Sequence, residues 1–340
     1  MGSRGRPIIA VTMGDPAGIG PEIILKALSG DNGARIRAQC RPLVVGSAEM
    51  LRHAAAVLGL GAAALRRVGS ADAVAETAGA EDAIAVWDLP LDPASVPAGV
   101  EGAEAGRAAV EAVRAAVELA LAGRVDAIAT APLNKAAIHR AGFAYAGHTE
   151  LLADLTNTRD YAMMLVAGTL RVVHVSTHVS LREAIERVRE NRIRTVIEIA
   201  DRTLRRMGIA APRIAVAGLN PHAGEGGLFG REEIEVIAPA VGQARVAGFD
   251  ASGPHPPDTV FYRASRGEFD IVVAMYHDQG HIPVKLAGFE TGVNVSVGMP
   301  FLRTSVDHGT AFDIAYKGVA SPGSLIEAIL LAARLAGGGV

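Results

Sequence analysis

The chain has 340 residues, half of them hydrophobic and a fifth charged, with a formal net charge of −3. That length exceeds what one hydrophobic core usually serves, so two domains are expected. The weakly negative balance argues against a nucleic-acid partner, which needs a basic surface, while leaving room for a local pocket that holds one phosphate.

No apolar run approaches the roughly 20 residues that cross a bilayer; even residues 325–336 contain Glu327 and Arg334. No membrane partner is therefore expected. The only cysteine, Cys40, cannot form an intramolecular disulfide, which fits a reducing, cytoplasmic location. Residues 1–6 lack the apolar segment of a signal peptide. Aromatic residues make up 4%, so Ala, Val, Leu and Ile must fill the core.

The first expected strand, 8–12, opens into Met13-Gly14-Asp15-Pro16-Ala17-Gly18-Ile19-Gly20-Pro21-Glu22. Pro21 suits the first turn of a helix expected at 21–28. A helix start favours anions, yet the spacing is not Gly-x-Gly-x-x-Gly, so a Rossmann-type cofactor site is not indicated. The loop is either a ligand contact or simply a tight turn. Strands follow at 42–46 and 83–87, and residues 90–102 read as a long surface connection. A helix at 104–122 places Val110, Val113, Val117 and Leu121 on one stripe, with Ala105, Arg107 and Glu111 largely elsewhere. The strand at 126–130 leads to Lys135, which can reach an anion. Gly147-His148-Thr149-Glu150 resembles a helix start, where Thr149 is either the cap or, with His148, a holder of phosphate or carboxylate.

Strands at 163–167, 170–175, 213–217, 270–275 and 293–297 then alternate with helices at 182–188, 194–206, 231–247 and 324–335. This alternation predicts an α/β fold with mainly parallel strands. The tail 337–339 reads as frayed.

Three of the strands run into a histidine, at His178, His222 and His277. In an open parallel sheet the carboxyl ends of the strands face a common crevice. Three imidazoles there make a divalent-metal site suited to Zn, Co, Ni or Fe, with Asp258 or Asp278 completing the shell. Any one of them alone reads as a structural residue. Their equivalent positions carry the metal reading, because no His-Glu-x-x-His run is present. His174 reads as core or as support behind the ligands; His53, His139 and His255 read as surface or structural residues. Residues 276–315 are dense in polar groups, among them Gln279, His281, Lys285, Asn294, Arg303, Thr304, Ser305, Asp307 and His308. Arg grips a carboxylate or phosphate with two bonds, while Lys acts as a point charge. Asn294, between Val293 and Val295, would need partners if buried, which favours ligand contact.

The runs GDPAGIGPE, PLNK, GHTE, THVSLREA, GLNPHAGEGG, MYHDQGHIPVK and PFLRTSVDHGTAFDIA resemble the 4-hydroxythreonine-4-phosphate dehydrogenase (PdxA) family over about residues 7–336. The resemblance implies a two-domain α/β/α fold like the isocitrate and isopropylmalate dehydrogenases, with the active site in the interdomain cleft. It implies domains at 1–135 with 295–340, on the nucleotide side, and at 136–294, for metal, substrate and dimerisation. By motif, His178, His222 and His277 match the metal ligands, His277 serving the other subunit of a homodimer with shared active sites. His148, Thr149, Lys285, Asn294 and Arg303 match substrate-binding residues, and Asp258 and Asp278 match acids close to the metal. The stretch holding Asp307, His308, Gly309, Thr310 and Asp313 looks like an NAD adenosine-binding loop.

At His281-Ile282 the sequence departs from the pyridoxine-pathway members. There it looks more like the paralogue acting on 4-phospho-D-threonate or 4-phospho-D-erythronate. The implied activity is oxidation of a small 4-phosphorylated 3-hydroxy acid by NAD with one divalent ion (Zn, Mg, Mn or Co), followed by loss of CO2. Lys285 or a carboxylate such as Asp278 or Asp258 takes the proton. Two other classes stay open on the residues alone: a metal-dependent hydrolase, which turns over without nucleotide, and a non-catalytic phosphoacid sensor.

Overall fold

The computed structural model describes residues 5–60, 64–69, 83–145, 147–288 and 292–337; the end of the 337–339 tail lies outside them. The chain divides into two compact units, Met1–Thr158 with Met299–Gly337, and Arg159–Gly298.

The first unit holds strands β1 Ile8–Thr12, β2 Arg41–Gly46, β3 Leu65–Val68, β4 Ile84–Asp88, β5 Ala127–Thr130 and β12 Leu302–Ser305. They run parallel in the order β3-β4-β2-β1-β5-β12. Its helices are α1 Gly20–Leu28, α2 Gly30–Gln39, α3 Ala48–Val57, α4 Ala103–Leu121, α5 Lys135–Arg140, α6 His148–Leu155 and α12 Gly323–Gly337. Ile9, Val11, Leu43, Val44 and Ile128 are shut off from water, as continuous apolar strands between helical layers should be. On α4 the stripe Val110, Val113 and Val117 is buried, and so is Ala105, which the sequence pattern left outside it. Leu121 is 54% exposed, against expectation. It is the last helical residue, and the chain turns away at Gly123 with φ 66°. Cys40 is buried, and burial pushes its thiol up to about 12, so the group is unreactive at neutral pH.

The second unit holds β6 Ala162–Ala167, β7 Leu170–His174, β8 Ile214–Ala217, β9 Ala251–His255, β10 Ile271–Ala274 and β11 Val293–Val297, in the order β11-β6-β7-β10-β8-β9. β7, β10, β8 and β9 are mutually parallel, while β6 runs antiparallel to both β7 and β11. Its helices are α7 Leu181–Glu186, α8 Glu190–Arg206, α9 Ala238–Val246, α10 Val260–Ser265 and α11 His277–Ala287. The core around β7 and β10 joins Leu170, Val172, Val272, Phe261 and Val284. The helix expected over 231–247 is interrupted: a π turn, Glu233–Ile237, precedes α9. Pro239 sits in the first turn of α9 and has no N–H to continue the ladder, which accounts for the wider turn. Among the described residues no helix is long and apolar enough to cross a membrane.

The units meet the chain at 158/159 and 298/299 rather than at 135/136 and 294/295. α6 packs on α4, so His148 and Thr149 belong with β5 and β12 in the first unit. They do not belong with the strand-end histidines of the second.

Candidate active site

β7, β10 and β8 lie side by side and parallel, with Val172 opposite Val272 and Ile214 opposite Ile271. The chain leaving their carboxyl ends carries His178, His277 and His222 respectively. His178 and His222 have φ of 43° and 52°, and Ala223 and Glu225 beyond His222 are also left-handed. Such a backbone costs roughly 1–2 kcal/mol per non-glycine residue and persists only where the surroundings hold it. For the His222 loop the holder is Glu233. One oxygen of its carboxylate accepts the N–H groups of Leu219 and Asn220, each at 2.7 Å, and the other accepts Asn220 Nδ2 at 3.0 Å. Glu233 is buried, which pushes its pKa up, but these hydrogen bonds outweigh the burial and keep it below the usual carboxylate range. Sequence reasoning missed this residue. The available signal was an acid four positions before Ile237, on the apolar face of the expected helix.

The His178 and His277 rings lie 5.5 Å apart. His277 Nδ1 is 2.6 Å from Asp278 Oδ1. That hydrogen bond holds the exposed Asp278 carboxyl below its ordinary value, and it occupies Nδ1 of His277. His222 Nδ1 lies 3.7 Å from Asp258 Oδ2. Among the described residues, no three His, Cys, Asp or Glu side chains of one chain assemble into a group that could hold a metal. One chain thus presents two imidazole–carboxylate pairs, His277–Asp278 and His222–Asp258. Asp258 and Asp278 also line a hollow of about 590 Å³ whose apolar wall includes Phe261, Tyr262, Ile282 and Leu286.

The first unit presents a second group. Arg303 on β12 is 3% exposed, and its Nε and Nη2 donate to Thr130 Oγ1 at 3.2 and 2.6 Å. Burial pulls its pKa down to about 9, partly offset by Glu150, so it stays charged at neutral pH. His148 opens α6, and its Nε2 is closed off from solvent with no hydrogen-bond partner. Burial, then the charge of Arg303, lower its pKa well below the usual value, so the ring is neutral at pH 7. Thr149 does not cap α6. The cap position is Gly147, without a side-chain bond, which leaves the Thr149 hydroxyl for another role. A Cβ on Gly147 would lie 3.9 Å from Lys135 Cε, so the stem of Lys135 runs beside this turn. A buried guanidinium, a neutral imidazole with an unused nitrogen, a hydroxyl and a nearby lysine suit a small anion.

The chain belongs to the PdxA family. Residues 38–332 match the family described as "Pyridoxal phosphate biosynthetic protein PdxA". The chain is 52% identical over 330 residues to the D-threonate 4-phosphate dehydrogenase of Pectobacterium atrosepticum, with 97% of this chain and 99% of the relative covered. It is 47% identical over 330 residues to the 4-hydroxythreonine-4-phosphate dehydrogenase of Desulforapulum autotrophicum, with 96% and 95% covered. A crystal structure of 4-hydroxythreonine-4-phosphate dehydrogenase from Klebsiella pneumoniae matches with a TM-score of 0.91 at 53% identity, covering 97% of this chain and 99% of that one.

Of the other residues singled out in this PdxA-family chain, Lys285 is half-buried in the last turn of α11. Asn294 on β11 points Nδ2 at Met163 Sδ, 3.2 Å away, while its Oδ1 is buried without a partner. Asp307, His308, Gly309 and Asp313 are exposed, and Thr310 is buried. The loop 13–22 docks against this segment: Ile19 N donates to Thr310 O at 3.0 Å, and a Cβ on Gly18 would meet that same oxygen at 2.8 Å. The N–H groups of Ala17, Gly18 and Ile19 are all used inside the protein. These three donors are therefore committed within the protein.

Asp15 in that loop is fully buried. One oxygen accepts Ala17 N at 2.9 Å, and the other has no partner. Burial, with help from Glu101, pushes its pKa up to about 6 from 3.8. A folded-state pKa above the unfolded one means that the contribution of Asp15 to stability is fully present below pH 3.8 and is lost as pH rises through 6. The loss is on the order of 3 kcal/mol. Asp15→Asn keeps the bond to Ala17 and removes the charge. It is expected to raise the urea midpoint at pH 8 and leave it nearly unchanged at pH 4; equal effects at both pH values would disprove the assignment.

Proposed function

We propose that the chain is an NAD-dependent, divalent-metal-dependent dehydrogenase. In this reading it oxidises and decarboxylates a 4-phosphorylated 3-hydroxy acid, 4-phospho-D-threonate or 4-phospho-D-erythronate. The observation that carries the reading is the buried Arg303 beside the neutral His148. A guanidinium can grip a phosphate with two hydrogen bonds, and the substrates named for the relatives carry a phosphate. Thr149, Lys285 and Asn294 are the further substrate contacts in this reading.

NAD supplies the hydride acceptor, with Asp307, His308, Gly309, Thr310 and Asp313 as its contacts. A divalent ion held by His178, His222 and His277 supplies Lewis acidity toward the oxygen on C3. The donor set fits such an ion. Two of the imidazoles are fixed at strand ends by a strained backbone, and the third has one nitrogen committed to Asp278. Lys285, Asp278 or Asp258 accepts the C3 hydroxyl proton as hydride leaves C3. The ketone formed is β to the C1 carboxylate, so CO2 departs and C2 takes a proton. The proton removed at C3 balances the one added at C2, so a single base can serve both steps. The products are NADH, CO2 and a three-carbon ketone phosphate.

A second copy of the chain belongs to this reading. Tyr262, Ile282 and Leu286 are 69, 65 and 88% exposed around the hollow that Asp258 and Asp278 share. Exposed apolar side chains clustered beside such a site favour a homodimer whose subunits complete each other's metal ligands. Phe261, part of the same wall, is already buried within its own chain.

The test is NADH formation with NAD and Mg, Mn, Co or Zn across three acids: 4-phosphothreonate, 4-phosphoerythronate and 4-phosphohydroxythreonine. Turnover is expected with one of the first two and at least tenfold less with the amino acid. Preference for the amino acid would move the chain to pyridoxal phosphate biosynthesis. Silence with every phosphorylated 3-hydroxy acid would sink the dehydrogenase reading.

A further inference from the structure

α11 starts at His277 and presents a second imidazole one turn later, at His281. The i, i+4 spacing puts both on one face of the helix. Their rings stack, with centroids 3.5 Å apart and planes 13° from parallel. His281 is buried, and its Nδ1 lies 3.0 Å from the backbone oxygen of His277. A carbonyl can only accept, so Nδ1 of His281 carries the proton. Behind His281 stands His174, with its ring centroid 4.8 Å away. His174 is anchored through Nδ1 to the oxygen of Met163 at 3.1 Å. Gly280 makes this assembly possible, because a Cβ there would come within 2.4 Å of His174 Nε2.

His277 is therefore held in two ways. Asp278 fixes the ring edge through Nδ1, and the flat face of His281, backed by His174, fixes the ring plane. An imidazole at a helix start with a third of its side chain exposed would otherwise spread over several rotamers. We propose that His281 is a positioning residue that sets the plane of His277 and so the direction of its ligating Nε2. The proposal rests on the metal-ligand reading of His277. In this assignment His281 acts through His277 rather than on substrate or metal. Groups that orient a metal ligand in this way typically change affinity 10- to 100-fold when removed.

The experiment measures Co(II) affinity of the full-length protein by chelator competition, with thermal melting alongside. His281→Ala is expected to weaken binding roughly 10- to 100-fold. His281→Phe, which keeps a flat ring and loses the nitrogens, should stay within about threefold of wild type. Unchanged affinity in His281→Ala overturns the proposal. So does equal loss in both variants, which would make a ring nitrogen of His281, rather than its face, the requirement. Wild-type protein that binds no Co(II) fails the metal reading instead. The positioning claim is then judged from the metal-free proton spectrum. Stacking shifts the His277 ring protons upfield, and His281→Ala should return them toward exposed-histidine values; no change ends the proposal.

Discussion

Mixing two inactive variants, His222→Ala and His277→Ala, is expected to restore about a quarter of wild-type activity. Alone, each variant should lose metal and turnover while keeping its fold. His222 and its partner Asp258 are both more than half exposed, so truncation leaves no cavity. Recovery on mixing follows from the two-fold symmetry proposed for the site. If His178 and His222 come from one subunit and His277 from the other, a mixed dimer has one doubly damaged site and one intact site. Random exchange makes half the dimers mixed, and half of their sites are whole. A site built within a single chain gives no recovery at all, because every subunit carries a lesion. Metal content of the mixture, measured on the same samples, should follow activity. Full activity of metal-free His222→Ala would refute the metal-dependent mechanism outright.

The parts of this protein readable from sequence are those whose cause is local. β1 and β11 have the expected boundaries, and most other strands agree within a residue, because strands buried in the sheet are short, mainly apolar runs bounded by turns. The three histidines were legible as strand-end residues for the same reason, and β7, β10 and β8 prove to be neighbours. What was hidden has remote causes. β12 reads Leu-Arg-Thr-Ser, and nothing nearby explains why three polar residues should be buried. Their partners are elsewhere: Arg303 uses Thr130, and Thr304 Oγ1 donates to Ala328 O in α12 at 2.8 Å. α11 carries Gly280 and Pro283, which argue against a helix locally. It forms because Val284 packs into the core of the second unit and Gly280 fits against His174. The place of Glu233 on an apolar face hinted at burial, but its role was not legible, because the N–H groups it satisfies lie in a loop 13 and 14 residues away.

Arg303→Met is expected to make the protein more stable and a far worse enzyme. The guanidinium is buried, and the downward shift of its pKa to about 9 registers a penalty present at every pH below that value. Replacing it with an apolar chain of similar length removes the penalty. Exchanges of buried charge for packed apolar groups commonly gain about 1–4 kcal/mol. Part of that gain is offset because Thr130 Oγ1 loses two donors and the attraction of Glu150 is lost, but the melting temperature without substrate should still rise. Activity goes the other way. Losing one partner of a desolvated charge pair costs roughly 2–5 kcal/mol, so kcat/KM should fall by at least thirtyfold and as much as several thousandfold. The loss should appear mainly in KM if Arg303 only binds the anion, and in kcat if it also sets the reacting geometry. Arg303→Lys retains charge without the two-pronged geometry and should recover only part of the loss. Inorganic phosphate gives a control: it should raise the melting temperature of wild type and leave Arg303→Met unmoved. A variant less stable than wild type, with kcat/KM intact, would make Arg303 a structural residue and leave the anion site without its centre.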